Sequence, residues 1–513
     1  MATHRMITRS RKLTWASLAS EIRVMILKAI ADQKNPGWAS LASVCKEWQY
    51  YLERANFSKI KLRVSCLDDF ERIVSPQKRA LVHHICLNIE LPRYSSGCCS
   101  KRRSPPEKER FFFRDGIWKL FSILSTWGPA DNLALEINAY SSSDRVHWFR
   151  NIYLSSDNTE DDEGAISDAS RTGILRHDPR HGWMNGQQVR APPRSAVERL
   201  FQPIPSFSKS LPQVTVVTCL IIRRQLRRYL PPSSIADLFT SLDRLEYISW
   251  EPWVPQHYQY QLTKQDLLFF ALRMYNALRT LNKLVIFEDS PEFYYPFPAR
   301  PLSLPLGPYH DFGEWRAVVF ASKSQDLQHL PLNPLLDPSE WLAAIFASKS
   351  QDLQHLAISF MIDAGNFLRY CRPTWSWSRL QSLALTSQFL QDGLENRKKI
   401  EVLLRQAGDL VQKMPKMHTF VLWNGGRGHA CAFIYRVDRD RASITWRGTW
   451  HLELSPAVVK SWQPAAEKLP ISELQVKHEC IREVVRSHGD AIYYLQLPCQ
   501  VIEPASLWQI RRE

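Results

Sequence analysis

Apolar positions along this chain change period several times, and each change marks a boundary. Near the start, Leu18, Ile22, Met25 and Ile26 recur at i, i+4, i+7 and i+8. That spacing predicts one apolar face of a helix. Ser20, ahead of Glu21 and Ile22, suits the start of that helix. Asn35-Pro36-Gly37 is a turn signal. A second helix is predicted beyond it, with Trp38, Leu41, Val44, Cys45 and Trp48 on one stripe. Two short amphipathic helices bury little core alone. They are expected to present an apolar face to a partner or to the next domain.

The period then shortens. Val82, Ile85, Leu87 and Ile89 alternate or nearly alternate, and so do Leu133, Leu135 and Ile137. These read as buried strands. A polar stretch over 155–194, with DNTEDDEG and HDPRHGW, interrupts the order. It reads as a long surface insertion, partly disordered.

Beyond it, a pattern L-x-x-L-x-L repeats with apolar substitutions. It occurs at Leu242, Leu245, Tyr247; at Leu281, Leu284, Ile286; and at Leu327, Leu330, Leu332. It returns at Leu353, Leu356, Ile358; at Leu380, Leu383, Leu385; and at Met417, Phe420, Leu422. The last two positions of each set share one side of a short strand. The first packs the turn leading into it. Such units hide their apolar faces by stacking, as in leucine-rich repeats. The intervals run from 26 to 46 residues, so a stack of unrelated βα units remains an alternative.

Two units are near copies. Residues 305–330 and 331–356 match at 18 of 26 positions and share the ending FASKSQDLQHL. Conservation of the polar SKSQD points to a tandem duplication. Asp311 with Glu314, and Asp337 with Glu340, have capping-box spacing, and Pro338 follows Asp337. Each copy therefore reads as loop, helix, strand.

The last part, 424–513, reads as a small α+β cap. ACAFIYRVD and ASITWRGTW flank Arg439 and Asp440 as hairpin strands. Ser455-Pro456 suits a helix start. Ile481 to Ser487, followed by Gly489, reads as a second helix with its terminal glycine. AIYYLQLP then reads as a strand.

Composition narrows the class. The 513 residues are 44% hydrophobic and 23% charged, so a large core is affordable in apolar material. There is no apolar run long enough to span a membrane and no secretory signal, and the 10 cysteines lack framework spacing. A reduced, cytoplasmic or nuclear protein is expected. The net charge is +15. Basic clusters lie at Arg9 to Lys12, at Lys101 to Arg103, and at Arg223, Arg224, Arg227 and Arg228. The last four would share one face of a helix. That face is either solvated or a patch for phosphate or an acidic partner.

No chemical constellation stands out. Asn424-Gly-Gly-Arg-Gly-His429 lacks phosphate-loop spacing and reads as a tight turn. His177 and His181 are separated by Pro179, which opposes a shared helical metal site. His83, His84 and Cys86, and the pair Cys98-Cys99, have no zinc spacing. His429 and Cys431 lie two apart on an expected strand, with no oxyanion hole or orienting group in view. No enzyme activity, metal or cofactor is expected.

The sequence LASEIRVMIL at 18–27, followed by VCKEW at 44–48, resembles an F-box. The matching positions are Leu18, Glu21, Ile22, Ile26 and Leu27, then Val44, Cys45, Lys46 and Trp48. Ala19 stands where that family usually has proline. The longer chain resembles large F-box proteins of filamentous fungi, through CLDDFERIV, LNIELPRY, HDPRHGW, TCLIIRRQLRR and NGGRGHACAFIYRV. The resemblance implies a receptor subunit of an SCF-type ubiquitin ligase. Leu18, Ile22, Ile26, Leu27, Leu41, Val44, Cys45 and Trp48 would dock a Skp-type adaptor, and through it cullin and RING subunits. The remainder would capture a protein substrate.

The expected fold is therefore α/β. A helical F-box at 13–57 precedes the first βα units at 58–154 and the insertion at 155–194. An irregular leucine-rich-repeat-like β/α solenoid follows at 195–423, with the α+β cap at 424–513. An F-box protein acting outside ubiquitylation and a basic repeat protein binding nucleic acid are the alternatives.

Overall fold

A computed structural model describes residues 14–95, 107–146, 179–254, 280–290 and 338–512, with short interruptions inside those ranges. The clusters at Arg9 to Lys12 and Lys101 to Arg103 lie outside them. So do Cys98-Cys99, His177, most of the insertion, the first duplicated copy, and the Leu327, Leu330, Leu332 unit.

The N-terminal helices span Ser20–Gln33 and Lys46–Ser58, with a 3₁₀ turn at Trp38–Ser43 between them. The single predicted helix over Trp38 to Trp48 is therefore two elements. The break falls at Cys45, whose φ of −162° is extended and caps the second helix.

Strands β1 (Lys59–Arg63), β2 (His84–Leu91) and β3 (Leu133–Ser141) come first. A two-residue hairpin, β4 (Trp183–Met184) with β5 (Gln187–Gln188), stands apart. Then come β6 (Val217–Ile222), β7 (Tyr247–Trp250), β8 (Lys283–Phe287), β9 (His355–Ser359) and β10 (Ser382–Thr386). The last four are β11 (Thr419–Gly426), β12 (His429–Asp438), β13 (Arg441–Gly448) and β14 (Ile471–Cys480). All except β4 and β5 form one open 12-stranded sheet, and their order in the sheet is their order in the chain. Pairing is parallel from β1 to β11, antiparallel through β12 to β13, and parallel again to β14. The fold is α/β.

The repeated leucines explain the sheet. Leu284 and Ile286, Leu356 and Ile358, Leu383 and Leu385, and Phe420 and Leu422 all belong to one buried cluster. The helices Pro338–Lys349, Ala364–Tyr370, Leu394–Val411 and Pro456–Ala466 cover it with Phe346, Phe367, Leu403 and Trp462. The residues between them point to the opposite face. Val285, Phe287, Ala357, Ala384, Val421 and Trp423 form a second cluster. The C-terminal segment closes that face with Ile481, Val485, Ile492, Leu495, Val501, Ile502 and Ile510. Strands buried on both faces read as continuous apolar runs.

The C-terminal reading needs correction. The hairpin around Arg439 is present, and Ser455 caps its helix by accepting from the Val458 amide at 3.3 Å. But 481–487 is not helical, and AIYYL is not a strand. Ser487 caps a helix at His488–Leu495, and Gly489 lies inside it. Residue 424 lies inside β11, so the sheet continues across the expected start of the cap. β8 pairs directly with β9, Lys283 opposite His355. The sheet position after β8 thus belongs to the second duplicated copy.

Candidate functional site

Two places gather side chains with functional character: the N-terminal helices and the ends of the central strands. In the N-terminal helices, Leu27 and Leu52 are 1% and 0% exposed. Trp15 and Trp48 pack with ring centroids 5.1 Å apart. Glu47 joins the pieces, accepting from Trp15 Nε1 at 2.8 Å and Arg23 Nε at 2.9 Å. The Trp15 hydrogen bond, then the one from Arg23, holds its carboxyl below the usual range. Ile22, Met25, Val44 and Tyr50 remain exposed, at 44%, 65%, 58% and 54%.

Of the residues expected to dock an adaptor, Ile22, Val44 and Cys45 are exposed, and Leu18, Ile26, Leu41 and Trp48 are half-buried. Leu27 is the exception. Its side chain is interior, so its role is to hold the helices together rather than to touch a partner.

The four arginines are not on a helix. Arg223 and Arg224 follow β6, and all four are at most 7% exposed. Arg223 donates to Glu136 at 3.0 Å, and Glu136 also lies 3.0 Å from His84. Arg228 donates to both oxygens of Asp144, at 2.9 and 3.2 Å, and Tyr94 donates to the same carboxylate at 2.6 Å. Arg227 lies over the Trp253 ring. Arg223 and Arg228 meet acids of their own chain and Arg227 is buried against an aromatic ring, so these side chains form neither the solvated face nor the surface patch that the sequence left open. Burying a charge demands such pairing.

Arg224 is the centre of this ionic seam. It donates to Asp289, two residues beyond β8, and its Nη1 reaches Gln509 at 3.2 Å. His488 Nε2 approaches Asp289 from the other side at 3.1 Å. Arg224 and His488 lower the Asp289 carboxyl to about 2 against the opposing effect of burial. Glu251, directly after β7, accepts from the Arg224 amide at 2.9 Å, from the Glu503 amide at 2.7 Å and from Ser506 at 2.5 Å. Full burial still pushes its carboxyl up to about 7. The seam therefore pins the C-terminal helix Pro504–Arg512, through Glu503 before it and Ser506 and Gln509 on it, onto the ends of β6, β7 and β8. Its atoms are enclosed, so its chemistry is structural. The sequence signal for it was a charged residue immediately after each apolar strand: Arg223-Arg224, Glu251 and Glu288-Asp289.

The remaining candidates behave as structural parts. The glycine cluster is the end of a hairpin: Asn424 to Gly426 close β11, His429 opens β12, and only Arg427-Gly428 is the turn, with Gly428 at φ of +83°, while a Cβ at Gly425 would collide with Ala491. Cys431 is buried, donates to the Leu390 carbonyl at 3.2 Å, and is pushed up to about 12 by burial, so it is no thiolate nucleophile. His181 is buried in a 3₁₀ turn at Pro179–His181. Among the described residues, no group of three or more His, Cys, Asp or Glu could hold a metal. No helix among them is long and apolar enough to cross a membrane.

A family model, that of a family of unknown function (DUF6546), matches residues 276–503. The match begins ahead of β8 and ends at Glu503. It holds Asp289, His488 and Glu503 but not their partners Arg224, Glu251 and Ser506. No curated protein matches the chain.

Proposed function

We propose that this chain is the substrate-recognition subunit of an SCF-type cullin–RING ubiquitin ligase. Its N-terminal unit is an F-box that docks a Skp-type adaptor, and its repeat array binds the substrate protein. The observation that carries this reading is the exposure of Ile22 and Met25 on the first helix and of Val44 at the end of the 3₁₀ turn, in a unit already closed by Leu27 and Leu52. An apolar face that its own domain leaves uncovered marks a protein contact. It lies on the segment with the F-box pattern. The chain-order strands, with the same leucine spacing at β7 to β11, support a leucine-rich-repeat-like array behind it. Such an array acts by holding a substrate lysine near a charged ubiquitin carrier, a proximity effect that requires no catalytic residue here. The nucleic-acid alternative loses its densest basic patch, because Arg223, Arg224, Arg227 and Arg228 are turned inward.

The test is adaptor capture by the full chain and by Ile22→Asp with Val44→Asp. Both side chains are exposed, so the variant should fold and lose the adaptor. Undiminished capture removes the F-box assignment. Adaptor capture without ubiquitin transfer in a reconstituted ligase would leave an F-box protein working outside ubiquitylation.

A further inference from the structure

The helices on the leucine side of the sheet leave an open groove of about 820 Å³. It runs between the helix Ala364–Tyr370, the turn after it, and the long helix Leu394–Val411. Its floor is apolar: Phe389, Leu403 and Leu410 are buried or half-buried, and Val402 is 52% exposed. Its rim is charged, and the two signs are used differently. Asp363 is turned inward. It accepts from the Gly365 amide at 2.7 Å, from Ser387 at 3.0 Å and from the Gln388 amide at 2.9 Å. Arg369 is neutralised by Glu340 at 3.0 Å.

Three lysines complete the rim. Lys398 and Lys399 are exposed, and Lys399 lies over the Phe389 ring at 5.3 Å. Lys413 donates to the Pro373 carbonyl at 2.7 Å, a neutral partner. Asp409 also lines the groove, and Glu395 is exposed one turn before Lys398 and Lys399 on the same helix. Rim charge of one sign around an apolar floor selects a partner of the opposite sign and fixes its register. The volume falls in the range of roughly 300–1,000 Å³ typical of ligand sites, room for a few side chains of an extended segment.

We propose that this groove binds an acidic peptide segment of another protein, with Asp or Glu against Lys398, Lys399 and Lys413 and an apolar side chain on Val402. The inference goes beyond the ligase reading and does not depend on adaptor docking.

Fluorescence anisotropy of the full chain tests it. The probe is a short labelled peptide of Asp and Glu interrupted by two leucines. The control carries Lys at every acidic position. The expected result is binding of the acidic probe alone. Lys398→Glu with Lys399→Glu should weaken it about tenfold or more, and Val402→Asp should weaken it too. Lys477→Glu, an exposed reversal on β14, should leave it unchanged. Equal losses in the groove variant and in Lys477→Glu would overturn the site, leaving general charge attraction. Binding that appears only after deletion of the chain's own acidic run at 157–163 would also overturn the proposal, because the occupant would then be internal. Adaptor capture by the same variants distinguishes this failure from failure of the F-box reading.

Discussion

In the N-terminal helices the buried hydrophobic residues are Leu27 and Leu52, while Ile22, Met25, Val44 and Tyr50 lie in solvent. In the C-terminal segment, Ile481, Val485, Ile492, Leu495, Val501, Ile502 and Ile510 pack into one cluster with β8 to β12. Local sequence does not separate the two, since both contain short amphipathic helices. What separates them is a second sheet face. The strand residues Val285, Ala357, Ala384, Val421 and Trp423 need a cover, and the returning C-terminus supplies it. Among the described residues no second sheet face covers Ile22, Met25, Val44 and Tyr50, and under the proposed reading they are where a partner docks. The polar groups follow suit. Glu47 ties its helices at half-exposed positions, whereas Arg224, Asp289 and Glu251 are enclosed where the C-terminus lands.

The comparison breaks most visibly at the seam. Arg224→Ala leaves the Asp289 carboxylate enclosed with one fewer counter-charge, and removal of one partner from a buried pair costs about 3–5 kcal/mol. Denaturant unfolding should show a loss of that order. Ile492→Asp should cost a similar amount, about 3–5 kcal/mol, by placing an unpaired charge between helix and sheet. If both variants unfold at the parent midpoint, the C-terminal segment does not close the sheet.

Acidity offers a gentler perturbation. The Glu251 carboxyl titrates near 4.5 when unfolded and about 7 when folded. Between those values the folded state binds the extra proton, so stability falls as pH rises from 4.5 to 7. Asp289 runs the other way. Its value drops from 3.8 to about 2, so its contribution is lost as pH falls through that window. Each displaced carboxyl carries about 1.4 kcal/mol per pH unit between its two values. The chain should be more stable near pH 5 than near pH 7.5. Glu251→Gln should flatten that slope in part, with Glu288, also pushed up to about 7 by burial, retaining its share. An unchanged slope would place Glu251 in contact with water.

A smaller effect is expected from the duplication. Deleting 331–356 joins Leu330 to Ala357, and His329-Leu330 then stands where His355-Leu356 stood. β9 pairs with β8 and β10 through those positions. The surviving copy supplies the same DLQHL, a Trp315 for Trp341, and an Asp311 with Glu314 to start the helix. Neighbour-only stacking then predicts a cooperative melt, shifted by on the order of 1 kcal/mol or less. A broad melt would show that the copies are not interchangeable.

The sheet was largely legible because alternation needs only local chemistry. Leu353, Leu356 and Ile358 place β9, and the same spacing places β7, β8, β10 and β11. The C-terminal fold was misread because AIYYL is apolar enough for strand or helix, and periodicity in five residues does not discriminate. Ser487 as a cap decides it. The arginines were misread for a different reason. Their i, i+1, i+4, i+5 spacing fits a helix face, but their partners Glu136, Asp144 and Asp289 are 65 to 87 residues away in sequence. A pairing over such a distance leaves no local pattern. Leu27 fits the F-box pattern as well as Ile22 does, and only packing distinguishes the one that anchors from the one that is exposed.

The smallest effect tests the comparison from its other end. Met25 is 65% exposed on the helix Ser20–Gln33, and Ile492 is 5% exposed on the helix His488–Leu495. Met25→Asp introduces the same charge as Ile492→Asp, but into water, where no desolvation accompanies it. Surface changes away from caps and ion pairs stay within about 0.5 kcal/mol. The helix keeps its acidic first turn at Glu21 and the Glu47 link to Trp15 and Arg23, none of which involves Met25. Its melting curve should therefore overlay that of the parent chain. A clear destabilisation would mean that Met25 is covered in the folded chain, and the apolar face assigned to a partner would then belong to the molecule itself.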